Sequence, residues 1–459
     1  MTVGDPPRPA PGAQRAPGAR PGLGARPGAA ARPALGQFLQ ARTTPAKLRL
    51  LLVGLVVLCL VWGGLAAWVV SQRASGANDV VGTSEPLSLD GQQIYRALSD
   101  ADATAASAFL SGGLEPISAR RRYEADIALA ASHLESATAA AGHSSAARDL
   151  ATLSVGLPVY AGEVETARAN NRLGLPLGAA YLREASSLMR STLLPAARDV
   201  SAQANARLTA ASGQATGLPL ALALLVAAAI LGYVLYRAQR WLLHRTHRRL
   251  NPGLVVASVA GVVSLVWLAV AFAVARADLL EARNHGSTPV AALAQADIAA
   301  LQARADESLT LIDAGGDDSF QADFAATARR LGPGPGTLIT DAVSAARGSP
   351  GAGQAAAAAT AATAWYAAHR TVRSLDDNGK HTEAVKLVTT PGPGHSGTQF
   401  TRLDGALTGA IAANQAVFRS NAVTGRDAFT GLEVGVIVLS LVMAAGCARG
   451  LSTRLAEYR

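Results

Sequence analysis

The stretch LLLVGLVVLCLVWGGLAAWVV, Leu50–Val70, carries no charge over 21 residues and ends beside Trp68. A helix needs about 20 apolar residues to cross the hydrocarbon core, so it reads as a membrane span. Leu218–Tyr236 and Leu254–Ala275 have the same character, and a shorter run, Val434–Ala448, makes a fourth. Only 16% of the 459 residues are charged. Soluble domains carry about a quarter, so part of this surface is expected to face lipid. A cleaved signal peptide has a short basic region and an apolar core of about 7–15 residues. Here a long leader precedes a 21-residue core, so the first span is expected to stay as an anchor.

The net charge of +9 is unevenly distributed. Residues 1–50 carry seven Arg and one Lys against Asp5, the segment 237–253 has five Arg and no acid, and the tail has three Arg and Glu457. The two long segments between them are net acidic. Basic flanks are retained in the cytoplasm. Both termini and the short arginine hairpin are therefore expected inside a cell membrane, with two long loops outside. The division that follows is a disordered basic leader at 1–47, spans at 48–70, 217–236, 254–275 and 432–448, outer domains at 71–216 and 276–431, the hairpin at 237–253 and the tail at 449–459. The basic balance thus reports orientation and not a nucleic-acid partner.

Both outer segments read as helical. Ile94, Leu98, Ala101, Ala105 and Ala108 step by fours and threes, as a buried helix face requires. Tyr123, Ile127, Ala130, Leu134 and Ala137 form a second seam, and Leu150, Leu153, Leu157, Tyr160, Val164, Ala167 and Asn171 a third. A fourth helix follows Gly174-Leu-Pro176 through Leu182 and Met189. The second segment repeats several landmarks at matching distances from its span: Gly112 and Gly315, Tyr160 and Tyr366, Gly174 and Gly379, and the pairs Ala101-Asp102 and Ala305-Asp306. These predict an all-α membrane protein with four transmembrane helices and two extracytoplasmic domains like four-helix bundles, arranged as a tandem duplication.

Chemistry-bearing motifs are sparse. There is no phosphate-binding glycine loop, nucleophile elbow or paired-histidine metal helix. His244 and His247 sit among arginines, which suits membrane-surface anchoring, so no metal and no cofactor is expected. Cys59 and Cys447 lie within or beside spans and are expected to fill space. No span has a charge in its middle, which argues against coupled transport by this chain alone. Small faces such as Gly63-Gly64, Ala228/Gly232 and Ala257/Gly261 suit close helix contacts. The best polar cluster surrounds Arg168, Asn171 and Arg172: the two arginines share a helix face and could grip a carboxylate, or Arg168 could pair with Glu165 on a wet surface. Arg240, Arg245, Arg248 and Arg249 are the expected contacts for a cytoplasmic partner or lipid headgroups.

The stretch Leu157-Pro-Val-Tyr160, Val164-Glu-Thr-Ala-Arg-Ala-Asn-Asn-Arg172 and Gly178-Ala-Ala-Tyr-Leu-Arg-Glu-Ala185 resembles an actinobacterial family of four-span membrane sensors, the GlnX-like proteins. The resemblance implies a relay of amino-acid availability, with a solute-binding lipoprotein docking outside and a serine/threonine kinase, protein kinase G, responding inside. The bundles also look like chemoreceptor ligand-binding modules, which implies a homodimer. The function expected is thus a non-enzymatic transmembrane sensor or relay; the alternative is a structural or accessory subunit of an envelope or export complex.

Overall fold

The computed structural model describes residues 44–456 except 114, 143–144, 247–250, 314–317 and 333. The basic leader up to residue 43, Arg248, Arg249, Gly315 and the side chain of Arg245 lie outside the described residues. Among the described residues the chain is all helical, with no strand, and four helices are long and apolar enough to cross a membrane. These features support a multi-pass membrane protein.

Two of the spans do not end at the membrane. Helix α1 (Thr44–Asp79) passes through a π-turn at Val80–Ser84 into α2 (Glu85–Phe109), a continuous helical path of 63 residues from Lys47. At about 1.5 Å per residue that path is some 95 Å long. Helix α8 (Pro252–Glu281) likewise runs through a π-turn at Ala282–Ser287 into α9 (Thr288–Ile312), 61 residues in all. A π-turn admits one extra residue without breaking the backbone hydrogen-bond ladder. Pro86 and Pro289 lie just after the two π-turns, at the start of α2 and α9, where a missing N–H costs least. The other two spans are jointed: α7 (Leu218–Thr246) follows an extended Gly217, and α15 (Leu432–Ala456) follows Gly431, whose φ of 75° suits only a residue without Cβ.

The first bundle comprises α2, α3 (Ile117–Ala141), α4 (Ala146–Arg172) and a fourth rod made of α5 (Leu177–Leu188), a π-turn at Met189–Leu193 and α6 (Leu194–Thr216). The predicted seams are its core: Ile94, Leu98, Tyr123, Ala130, Leu150, Leu153, Tyr160, Val164 and Met189 are all buried in one cluster. The second bundle is more segmented. Its parts are α9, α10 (Ser319–Leu331), α11 (Leu338–Ala345), α12 (Ala352–Asp377), α13 (His381–Thr389) and α14 (Ser396–Asp427). Breaks between α10 and α11 and between α13 and α14 divide it further, and the sequence carries proline and glycine at both. Trp365, fully buried against Phe324 and Phe400, anchors this core, while Tyr366 of the sequence landmark is only partly buried beside it.

Within the membrane α15 lies between α1 and α8. A Cβ on Gly63 would strike Ser440, and one on Gly253 would stand 2.6 Å from the Gly450 Cα, so these backbones meet because the side chains are missing. Gly261 meets Met443, whereas Gly232 on α7 has nothing within 4 Å. Asn251 caps α8 through Gly253 N and donates to Gly450 O at 2.7 Å, tying the short hairpin to the end of α15. Cys59 and Cys447 face each other, sulfurs 4.0 Å apart, between α1 and α15. A disulfide needs about 2.05 Å, a modest approach for two packed helices. Copper-phenanthroline treatment of membranes should therefore link Cys59 to Cys447 within one chain, detectable as a linked peptide by mass spectrometry. Free alkylation of both thiols with no link formed would place α1 and α15 apart.

Candidate functional site

The two bundles meet along α2 and α9, and the buried part of the contact is crossed by ion pairs of one sense, arginines from the first bundle and aspartates from the second. Only the more exposed pair of Arg419 with Glu85 runs the other way among the described residues. Arg96 on α2 donates from Nε to Asp297 at 2.8 Å and from Nη2 to Asp404 at 3.1 Å. Arg122 on α3 reaches the other Asp404 oxygen at 2.9 Å while also holding Asp100. Arg183 pairs with Asp313 at 2.7 Å, and Arg190 pairs with Asp306. Asp297 is fully buried and Asp306 nearly so.

Arg190 is the joint of this seam. It lies in the π-turn that divides the fourth rod of the first bundle, and its guanidinium faces both Asp306 and Asp102, the latter at 4.0 Å. Asp102 and Asp306 are the aspartates of the two Ala-Asp landmarks. Asp102 also accepts from Ser186 at 2.9 Å and from the Tyr160 hydroxyl at 3.4 Å. One arginine thus reads the position of both bundles' first helices.

The inner part of the seam is short of positive charge. Asp100, Asp126, Asp297 and Asp404 surround only Arg96 and Arg122, and one oxygen each of Asp126 and Asp297 is buried without a hydrogen bond. Among the described residues no group of three or more acids, histidines or cysteines is placed to hold a metal ion. Burial pushes the carboxyls of Asp126 and Asp297 up to about 7, against the pull of the arginines, and that of Asp306 up to about 6. Folded, these groups keep protons that the unfolded chain releases near pH 4. Their stabilising effect is complete below that pH and is lost as pH rises through about 7.

Beside the seam lies a cleft of about 740 Å³ between α2, α6, α9 and α10. A second, apolar groove of about 710 Å³ runs between α3 and α4, lined by Leu134, Leu157 and Pro158. Ile127, Ala131 and Ala161 complete its apolar wall.

The second bundle has a polar core of its own. Glu307, fully buried, accepts from His369 Nδ1 at 2.9 Å, Arg304 Nη1 at 2.5 Å and Ser396 Oγ at 2.6 Å. Burial alone would raise its pKa; the hydrogen bond from His369 and the charge of Arg304 outweigh this and hold it at about 2. Trp365 Nε1 donates to Ser396 at 3.0 Å, so the start of α14 is pinned to α9 and α12.

Residues 76–213 match the family model of the Actinobacterial sensor domain. No curated protein and no solved structure matches the chain. The matched stretch spans the first bundle and supplies every arginine of the seam, while the aspartates that answer them lie beyond it. The match and the four membrane-length helices together support a transmembrane sensor, and a sensor domain suggests a role without catalysis.

The residues singled out by sequence have different surroundings. Arg168 is buried, stacked 4.1 Å over Tyr123, and held by Glu165 at 2.5 Å and Glu115 at 3.1 Å. Asn171 donates to Phe109 O at 3.1 Å, fastening the end of α4 to the end of α2. Arg172 is exposed one turn on, so the structure does not bring the two arginines to one site. Arg240 is exposed and donates to the Tyr236 hydroxyl at 3.2 Å. The seam itself was not singled out. Its signal was an acid set in an apolar run, as in Ala296-Asp297-Ile298-Ala299-Ala300.

Two outcomes follow. The two bundles should unfold at least about 2 °C lower at about pH 8 than at about pH 5.5, and Asp297→Asn should reduce that difference. An unchanged pH profile in the variant would remove Asp297 from the titration. Glu307→Gln leaves Arg304 and His369 without their anion and should destabilise the second bundle by about 3–5 kcal/mol, read as early proteolysis between α9 and α14.

Proposed function

We propose that this protein is a non-enzymatic transmembrane sensor and relay, with both termini and the 237–253 hairpin cytoplasmic and both bundles outside. The carrying observation is that the helices meeting at the arginine–aspartate seam are the same helices that run unbroken into the membrane as α1 and α8. A signal that shifts α2 against α9 is thereby delivered to two spans, as a two-state change biased from outside. The π-turns sit where such a shift leaves the bundles. Val80 and Ala282 pack there with Leu208, Ala211, Phe418 and Ala422 in a collar of their own.

The finer reading follows from the resemblance to GlnX-like sensors: the status relayed is amino-acid availability, and the output is a soluble serine/threonine kinase recruited at the basic hairpin. The apolar groove between α3 and α4 suits a docked solute-binding lipoprotein. The meeting of Asp102 and Asp306 on Arg190 favours reading the two bundles as a duplicated unit.

Affinity purification of tagged full-length chain from membranes tests the relay. A solute-binding protein and a kinase should be recovered, and Arg190→Ala should change the kinase yield at least about threefold while leaving the chain in the membrane. Recovery of envelope or export components alone, insensitive to Arg190, would replace the relay with an accessory-subunit role.

A further inference from the structure

The cleft beside the seam has a size typical of small-molecule sites, which run from about 300 to 1,000 Å³. Its floor is partly apolar, from Ala294, Ile298 and Ala299 on α9. Two guanidiniums line it without belonging to the seam: Arg198 on α6 and Arg330 in the last turn of α10. Among the described residues neither has a hydrogen bond or an ion pair, although Arg190, which lines the same cleft, is engaged. The two stand on different bundles, and the charges of both reach the Tyr95 hydroxyl on α2. That hydroxyl accepts from Gln302 Nε2 at 3.4 Å, which leaves its own proton to give. Donors from three helices therefore line one space, and neither guanidinium is paired with the Asp199 and Asp323 carboxylates that also line it.

We infer that the inter-bundle cleft binds a small organic carboxylate, its oxygens gripped between Arg198 and Arg330 with the Tyr95 hydroxyl donating a third bond. Guanidiniums and a hydroxyl are the groups that recognise a carboxylate directly. A bare inorganic ion would leave most of the cleft and its Ala/Ile floor unused. Asp199 and Asp323 line the same walls, which favours a ligand whose far end is cationic or hydroxylated over one with a second carboxylate. Because Arg198 and Arg330 come from opposite bundles, the bound carboxylate adds a bridge beside the pair of Arg190 with Asp306. That consequence rests on the sensor reading; the binding does not.

The test is thermal unfolding and calorimetric titration of the purified full-length chain with L-alanine, lactate and succinate, and with inorganic phosphate and glucose as controls. At least one of alanine and lactate should bind and raise the unfolding temperature, more than succinate does. Arg198→Ala and Arg330→Ala should each weaken binding at least about tenfold, and Tyr95→Phe by a smaller factor. Arg→Lys at either position should restore part of the loss. Both arginines are exposed and unpaired, so these variants should unfold normally without ligand. No binding by any of the three carboxylates, or phosphate binding as tightly as they do, overturns the proposal. Tight binding with unchanged partner recovery sinks the relay and keeps the site, while the reverse result sinks only the site.

Discussion

A transmembrane helix that leaves the lipid without a break carries its position and rotation with it. That constraint organises this molecule. In the hydrocarbon core every backbone group must be satisfied within the helix, so the spans are rigid rods. Where α1 and α8 emerge they do not stop but pass through π-turns into α2 and α9, which form the contact between the bundles. By contrast α7 and α15 are set off by Gly217 and by the turn at Gly431. Two spans are thus mechanically joined to the seam, and two are separated from the bundles by joints.

What holds the seam also sets how firmly it is held. Its aspartates are buried with fewer arginines than acids around the inner cluster, so it is neither an apolar interface nor a fully paired ionic one. Breaking a buried pair is costly, yet a buried pair contributes little net stability over apolar packing. Such an interface has a definite geometry without a deep energy minimum. Arg190 concentrates this property. It sits in a π-turn, faces an aspartate from each bundle, and flanks the open cleft. Glu307 is the opposite case: its hydrogen bonds and Arg304 saturate the carboxylate, and it fixes the second bundle internally.

Much of the fold could be read from periodicity. The steps from Ile94 to Ala108 and from Leu150 to Ala167 are buried faces, and Gly112, Gly142 and Gly174 lie at helix ends with positive φ. The second bundle was less legible, because the glycine–proline segments break its helices and shift the large buried ring from Tyr366 to Trp365. The candidate site was the least legible part. Arg168 and Arg172 share a sequence spacing, but Glu115, distant in sequence, turns Arg168 inward against Tyr123. Asp102 and Asp306 were visible only as landmarks. Their meeting on Arg190 depends on how two bundles pack, which no local pattern encodes.

Local physics in the chain therefore determined the four apolar rods, the helical seams and the asymmetry of charge. Each of these is written in spacing that a single helix must obey. Tertiary structure alone decided that α2 and α9 face each other, that arginines of one bundle answer aspartates of the other, and that Arg198, Arg330 and Tyr95 border a common cleft. The physical reason is the range of the forces involved. Helix formation and burial of a face act over a few residues, whereas a desolvated ion pair such as Arg96 with Asp404 joins positions 308 residues apart and exists only once both bundles are built.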